Sequence, residues 1–448
     1  MKILVATSSL DGFRSSAGIC NANLLRAFGI AGHEVTVFSP LCRPVLPEGA
    51  SCLEYPAIPS SPALRLVRYL EQSLRAASAG GPRRALFDKL EALLNYATGR
   101  NFQFAGLELA WRQALGWLLE RGSTDHDLLF FCSGGGDFTA ALAMTRLARR
   151  RGAVPFVTYY HDPYPMSLYP PPYTARTLRI SGLQERGHRR ILAASTALSF
   201  PSERLRDWVT EGDPALVAKS AVLPHPAIGP GVPLPELDQI DAALEPLALQ
   251  RMGADRFSVL HAGTLLSKRD PSALLEAWEG FAAASPERRD LATLVHVGPV
   301  HPERRDARWR RSQEDPTVAL IDRRIGYVDA LALARAATVS VVLEAASVSS
   351  PFFPGKLADL IWLDKPVVGL SPGESVVVDL LGADHPLCAE PGDVEGIRAV
   401  LETAWQAWRE GTLTELRPPA GAHRATSPER HGEALDLLRR RVGTEVAG

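Results

Sequence analysis

A chain of 448 residues exceeds what one hydrophobic core supports, since single cores stop growing near about 250 to 300 residues, so two domains are expected. The balance is that of a globular protein, 46% hydrophobic and 22% charged, and 49 basic against 50 acidic side chains leave a formal net charge of -1. Such a chain carries no bulk electrostatic footprint for nucleic acid, which is not expected as a partner. Five cysteines (Cys20, Cys42, Cys52, Cys132, Cys388) include no C-x-x-C pair, so neither a zinc site nor a disulfide framework is indicated, and a reducing cytoplasm fits. The opening MKILVATSSL reads as a first strand and not as a signal peptide. No unbroken apolar run reaches about 18 residues, so no transmembrane helix is expected.

In chain order, short runs rich in Val, Ile, Leu and Phe predict strands at 2–7, 34–38, 128–132, 154–160, 196–200 and 220–223. Between the first two, NANLLRAFGIAGHEV has helical spacing and stops at Gly32, which can close a helix in a left-handed conformation. The segment 61–121 interrupts this series with amphipathic helical patterns carrying nine basic and five acidic residues. Two readings stand for it: extra core with a solvated basic side, or a peripheral contact with an anionic membrane or acceptor. PAIGPGVPLPELDQIDAALEPLALQ, 226–250, is rich in proline and glycine and is read as a linker. A second series of strands follows at 257–263, 292–298, 318–321, 338–343 and 366–370, with a last short one near 386–389. SPERHGEALDLLRRR, from Ser427, reads as a terminal helix.

Continuous apolar strands alternating with helices imply parallel sheets covered on both faces. The expected fold class is therefore α/β, with two Rossmann-like domains, 1–225 and 251–425, whose sheet ends face one another across a cleft. Walker, H-E-x-x-H and G-x-S-x-G signatures are absent, and SSLDGFRSSAG follows the first strand where a dinucleotide fold has G-x-G-x-x-G. Chemistry is therefore sought at strand ends. In HAGTLLSKRDPSALLEAW a strand runs into Gly263 and Thr264, then a loop with Lys268 and Arg269 before a helix opens at Pro271. Two cations beside a helix start suit a diphosphate, and a solvated basic pair is the competing reading. In SVSSPFFPGKLADLIWLDKPVVGL a loop through Ser350, Phe353, Pro354 and Gly355 leads to a helix near Lys356, with Asp359 expected in its first turn. A carboxylate there can accept from ribose hydroxyls or be simple helix-start charge. His161 and Asp162 follow the strand VPFVTYY at the carboxyl end of a sheet, where a histidine is either a sugar contact or a structural partner.

The order GTLLSKRDP, LVHVGP, IGYVDALALARAATVSVVL and FPGKLADLIWLDKPVVGL resembles the C-terminal half of retaining glycosyltransferases of family four, which have the GT-B fold. GHEVTVFSP and YYHDPYP are similar to that family's first half. The resemblance spans both ends of the chain and most of its middle, excluding roughly 60–125 and the linker. It implies that Lys268 and Arg269 grip the diphosphate of a nucleotide-sugar donor, that Asp359 meets its ribose, and that His161 approaches the transferred sugar. Backbone amides of Ser16, Ala17 and Gly18 would meet the donor phosphate. The family's first motif glutamate falls on Pro351, a departure matching a variant pattern with a lysine, here Lys356, three residues before the acid. The implied enzyme is retaining and metal-independent, needs no cofactor, transfers sugar to an acceptor that is a glycan, a lipid-linked sugar or a small molecule, and sends its terminal helix, 426–448, back to the N-terminal domain. Pro351 also motivates a non-catalytic scaffold of the same fold. A nucleotide-sugar epimerase is the enzymatic alternative, lacking identifiable extra carboxylates.

Overall fold

The computed structural model describes residues 1–10, 15–40, 44–55, 102–120, 125–133, 137–151, 155–173, 181–240, 244, 250–253 and 255–446. Two compact units contain them: 1–169, 174–223 and 431–448 form one, and 170–173 with 224–430 form the other.

In the first unit, period-two alternation decides what each strand buries. Along β1 (Lys2–Ala6), Ile3 and Val5 join one core while Leu4 and Ala6 join another on the opposite face. With β2 (Glu34–Phe38), β3 (Ala50–Cys52), β4 (Leu128–Cys132), β5 (Val157–Tyr159), β6 (Ala197–Phe200) and β7 (Ser220–Val222), β1 forms a seven-stranded parallel sheet ordered β3-β2-β1-β4-β5-β6-β7. The helix Ser16–Ile30 covers one face through Leu24, Leu25 and Phe28; Ser15 caps its start, and Gly32, at φ 79°, turns the chain into β2. The helix Pro428–Val446 packs on that same face through Ala434, Leu435 and Leu438. Helices Phe102–Glu120 and Thr139–Arg151 cover the other face, led by Trp111, Leu115 and Met144.

The second unit repeats this logic. β8 (Phe257–Ala262), β9 (Ala292–Val297), β10 (Val318–Ile321), β11 (Val339–Leu343), β13 (Val367–Leu370) and β15 (Cys388–Ala389) form a parallel sheet ordered β10-β9-β8-β11-β13-β15. The short β12 (Ser349–Ser350) and β14 (Glu374–Ser375) pair beside it. Phe257 and Val259 face a core shared with helices Ser272–Ala283 and Val394–Glu410. Leu260 faces one shared with helices Tyr327–Ala336 and Gly355–Trp362.

The predicted strands match in place, with β5 shorter than expected. The edge strand β3 escapes a periodicity reading because its three residues, Ala-Ser-Cys, are barely apolar and two are exposed. Ser350 lies in β12, not in a loop. Asp359 sits beyond the first turn of its helix, which starts at Gly355. Residues 61–101 of the proposed basic insertion lie outside the described residues. The part that is described, Phe102–Glu120, is helical and buries Trp111 fully. Among the described residues no helix is long and apolar enough to cross a membrane.

Candidate functional site

Strand order in the second sheet reverses between β8 and β11, and their parallel register, Val339 beside Val259 and Ser340 beside Leu260, sets their carboxyl ends side by side. Open α/β sheets bind ligands at such a switch point. Four segments supply side chains there.

The first two are the ends of β8 and β9, which share the pattern H-x-G. His261 and His296 are register partners, both buried, with rings stacked at 5.1 Å and 14°. Gly298 lies at φ 148°, and a Cβ there would fall 2.1 Å from the Gly263 carbonyl oxygen, so no side chain fits where the two loops cross. A Cβ on Gly263 would come within 3.0 Å of Lys356 Nζ. That lysine reaches over from the first turn of helix Gly355–Trp362 and lies 3.0 Å from His261 Nε2.

The electrostatics are those of an anion site. Lys356 as a residue is partly exposed, but dense packing around its ammonium lowers its pKa to about 7, with the nearby Arg269 guanidinium adding to the effect. Arg269 Nε is buried without a hydrogen-bond partner, Lys268 is exposed, and none of the three cations forms an ion pair among the described residues. The helix start beyond them is not an open anion site: Asp270 accepts from the Ser272 amide at 3.0 Å and also pairs with Arg304.

The last segment follows β11. Glu344 is buried, accepts from Ser350 Oγ at 2.7 Å, and accepts from Ser371 Oγ. Burial raises its pKa, while both serines and Arg269 pull the other way. Glu344, Ser371, His261 and His296 were not singled out from sequence. The readable signals were an acid directly after a largely apolar strand, VSVVL, and two H-x-G endings on neighbouring strands.

The remaining sequence candidates fall as follows. Thr264 is half-buried beside Gly263, while Phe353 and Pro354 are buried just ahead of Gly355. Asp359 is buried and already engaged, with the Ile228 amide donating to Oδ1 at 2.8 Å and the Tyr327 hydroxyl lying 2.8 Å from both oxygens. Its carboxylate ties three parts of the second unit together, whereas sequence gave it a ribose. In the first unit, Ser16 is exposed and Ala17 half-buried at the start of their helix. The Gly18 amide, expected to meet a phosphate, instead donates to the capping Ser15 Oγ at 3.0 Å.

His161 is buried, and its Nε2 lies 2.6 Å from Asn21 Oδ1. Asn21 Nδ2 donates to Thr7 Oγ1 and to the Ser9 carbonyl, which fixes the amide orientation, so Nε2 of His161 carries the proton that Asn21 accepts. His161→Ala is accordingly expected to destabilise the first unit by about 1 to 3 kcal/mol by leaving Asn21 Oδ1 unpaired. Urea denaturation measures this, and an unchanged midpoint would show that the bond contributes nothing.

Two doubly wound units with these strand orders define the GT-B fold class. Solved structures with the same fold include trehalose-phosphate synthases. The chain is similar to one titled trehalose-6-phosphate from E. coli, bound with UDP-2-fluoro glucose, at 12% identity and a TM-score of 0.59, covering 98% of this chain and 99% of that one. It is similar to the UDP-forming alpha,alpha-trehalose-phosphate synthase of Burkholderia vietnamiensis at 12% identity and a TM-score of 0.61, covering 100% and 99%. The corresponding enzyme of Burkholderia xenovorans, in complex with glucose-6-phosphate, matches at 11% identity and a TM-score of 0.56, covering 100% of both. No protein-family model and no curated protein matches the chain. At such identities the likeness establishes the fold. The neighbours are not the family-four enzymes that the motifs resemble, so that finer assignment does not follow from them.

Proposed function

We propose that the protein transfers a glycosyl group from a nucleotide-sugar to an acceptor hydroxyl with retention of configuration, as a variant of family four, with the donor diphosphate against Lys268, Arg269 and Lys356. The supporting observation is Lys356 beside Arg269 at the switch point of the second sheet, with Lys268 exposed next in sequence and none of the three in an ion pair among the described residues. As the bond from the anomeric carbon to the phosphate oxygen breaks, the electron pair stays with the diphosphate. Cations already in place stabilise that developing charge. The acceptor oxygen bonds to the anomeric carbon on the same face, and its proton passes to the departing phosphate. With charge neutralisation supplied by side chains, turnover is expected to survive a chelator.

Gly263 and Thr264 flank the diphosphate in this reading, Ser350, Phe353, Pro354 and Gly355 shape the wall ahead of Lys356, and Asp359 orders the ribose side. The first unit is assigned acceptor recognition. Because one neighbour is bound with UDP-2-fluoro glucose and another with glucose-6-phosphate, UDP-glucose and a sugar phosphate are the first donor and acceptor to try.

A thermal-shift screen against UDP-, GDP-, TDP- and ADP-sugars identifies the donor, since a ligand bound only by the folded state raises its melting temperature. In calorimetry Arg269→Ala should then weaken nucleoside-diphosphate binding by at least about tenfold. Unchanged affinity in a folded variant would remove the assignment. Donor binding without turnover on any acceptor would favour the non-catalytic reading that Pro351 motivates.

A further inference from the structure

We infer that His261 and His296 are positioning residues that hold the Lys356 ammonium in the anion site, their tautomers fixed by a single backbone carbonyl. The inference rests on the anion site proposed above. Its logic starts at Gly298, whose carbonyl oxygen lies 3.0 Å from His296 Nε2 and can only accept. His296 therefore carries its proton on Nε2, and its Nδ1 is a lone pair. His261 Nδ1, 2.9 Å from that lone pair, must then be the donor. This leaves the lone pair of His261 on Nε2, facing Lys356 Nζ at 3.0 Å. The order Lys356 to His261 to His296 to Gly298 runs in one direction only, and every link is occupied.

The chain works only with both imidazoles neutral. A proton on His261 Nε2 would set an imidazolium against the ammonium, and a proton on His296 Nδ1 would set two N–H groups against each other. The surroundings enforce neutrality. Burial, then Lys356, His296 and Arg269, hold His261 well below its ordinary value. His296 falls to about 4 through burial and Lys356, against the opposing pull of the Gly298 carbonyl, Asp322 and His261. Trp309 meets His296 in a T-shaped contact, 5.5 Å between ring centroids, and adds an uncharged neighbour. A neutral His261 accepts from Lys356 without consuming its charge, whereas a carboxylate at the same place would cancel the charge that the ligand needs. That explains why two histidines, and not an acid, stand behind this lysine.

A double-mutant cycle separates positioning from mere packing. His296→Leu should weaken nucleoside-diphosphate binding by about tenfold. The same change in a Lys356→Met background should have almost no further effect, and His296→Asn, which restores an acceptor toward His261, should recover most of the affinity. Equal losses in both backgrounds would overturn the inference. Imidazole nitrogen NMR on the unaltered protein needs neither folding of a variant nor a ligand. His296 should appear as the Nε2–H form and His261 as the Nδ1–H form, unchanged from pH 5.5 to 8.5; the opposite tautomer of His261, or titration of either ring in that range, would overturn it. Should no nucleoside diphosphate bind, the donor-site reading fails while the NMR result still decides this one.

Discussion

Lys356→Met is expected to weaken nucleoside-diphosphate binding by about ten- to a hundredfold, because a charge-assisted contact contributes roughly 1.5 to 3 kcal/mol. In the ligand-free protein the same variant should melt higher at pH 7. The lysine's ammonium is enclosed beside Arg269, and its pKa is lowered from 10.5 to about 7, so the folded protein holds its proton less tightly than the unfolded chain. For a lysine shifted this way the penalty on stability is full below the folded value and vanishes as pH rises to the unfolded one. The advantage of Lys356→Met should therefore be largest below about pH 7 and shrink to nothing near 10.5. Melting curves of both proteins across that range test the sign. A variant that melts lower at every pH would sink the account of a cation enclosed at a cost to stability.

Asp359→Ala should act on stability first. The change strips the acceptor from the Ile228 amide and the Tyr327 hydroxyl, both held within 2.8 Å, in a place that water does not reach. At roughly 1 to 3 kcal/mol for each of the two buried donors left unpaired, a loss of about 2 to 6 kcal/mol is expected in urea denaturation. Asp359→Asn should lose less, since its amide oxygen still accepts one of the two. Near-normal stability of the alanine variant would show that Asp359 is available to a ligand, as its position in sequence implied.

The strand positions, β3 apart, and the parallel character of both sheets were legible because runs such as FSVLHA, ATLVHV and VSVVL are apolar enough to stand out from the helices between them. Lys268 and Arg269 could be placed at a strand end for the same reason. What sequence hides is whether a polar group is already spoken for. The Gly18 amide and Asp359 carry the right chemistry for a phosphate and a ribose, yet a serine one turn back and a tyrosine 32 residues away engage them. Glu344 and the two histidines were overlooked for the converse reason. Each is a single polar residue at the end of an apolar strand, and only parallel register places them beside Lys356 and Arg269.

The helix Pro428–Val446 has a consequence for how the protein is made. Its residues Leu435 and Leu438 complete a core begun by Ile3 and Val5, so the second unit is threaded into the first as an insert. During synthesis the first unit emerges early but cannot close that face of its sheet until residue 431 and those beyond it have left the ribosome. The second unit, 224–430, has all but four of its residues in one stretch and can finish folding before then. The usual order, in which the N-terminal domain matures first, is thus reversed for the completed core. Until that moment the strands near Ile3 and Phe130 present an unfinished apolar surface.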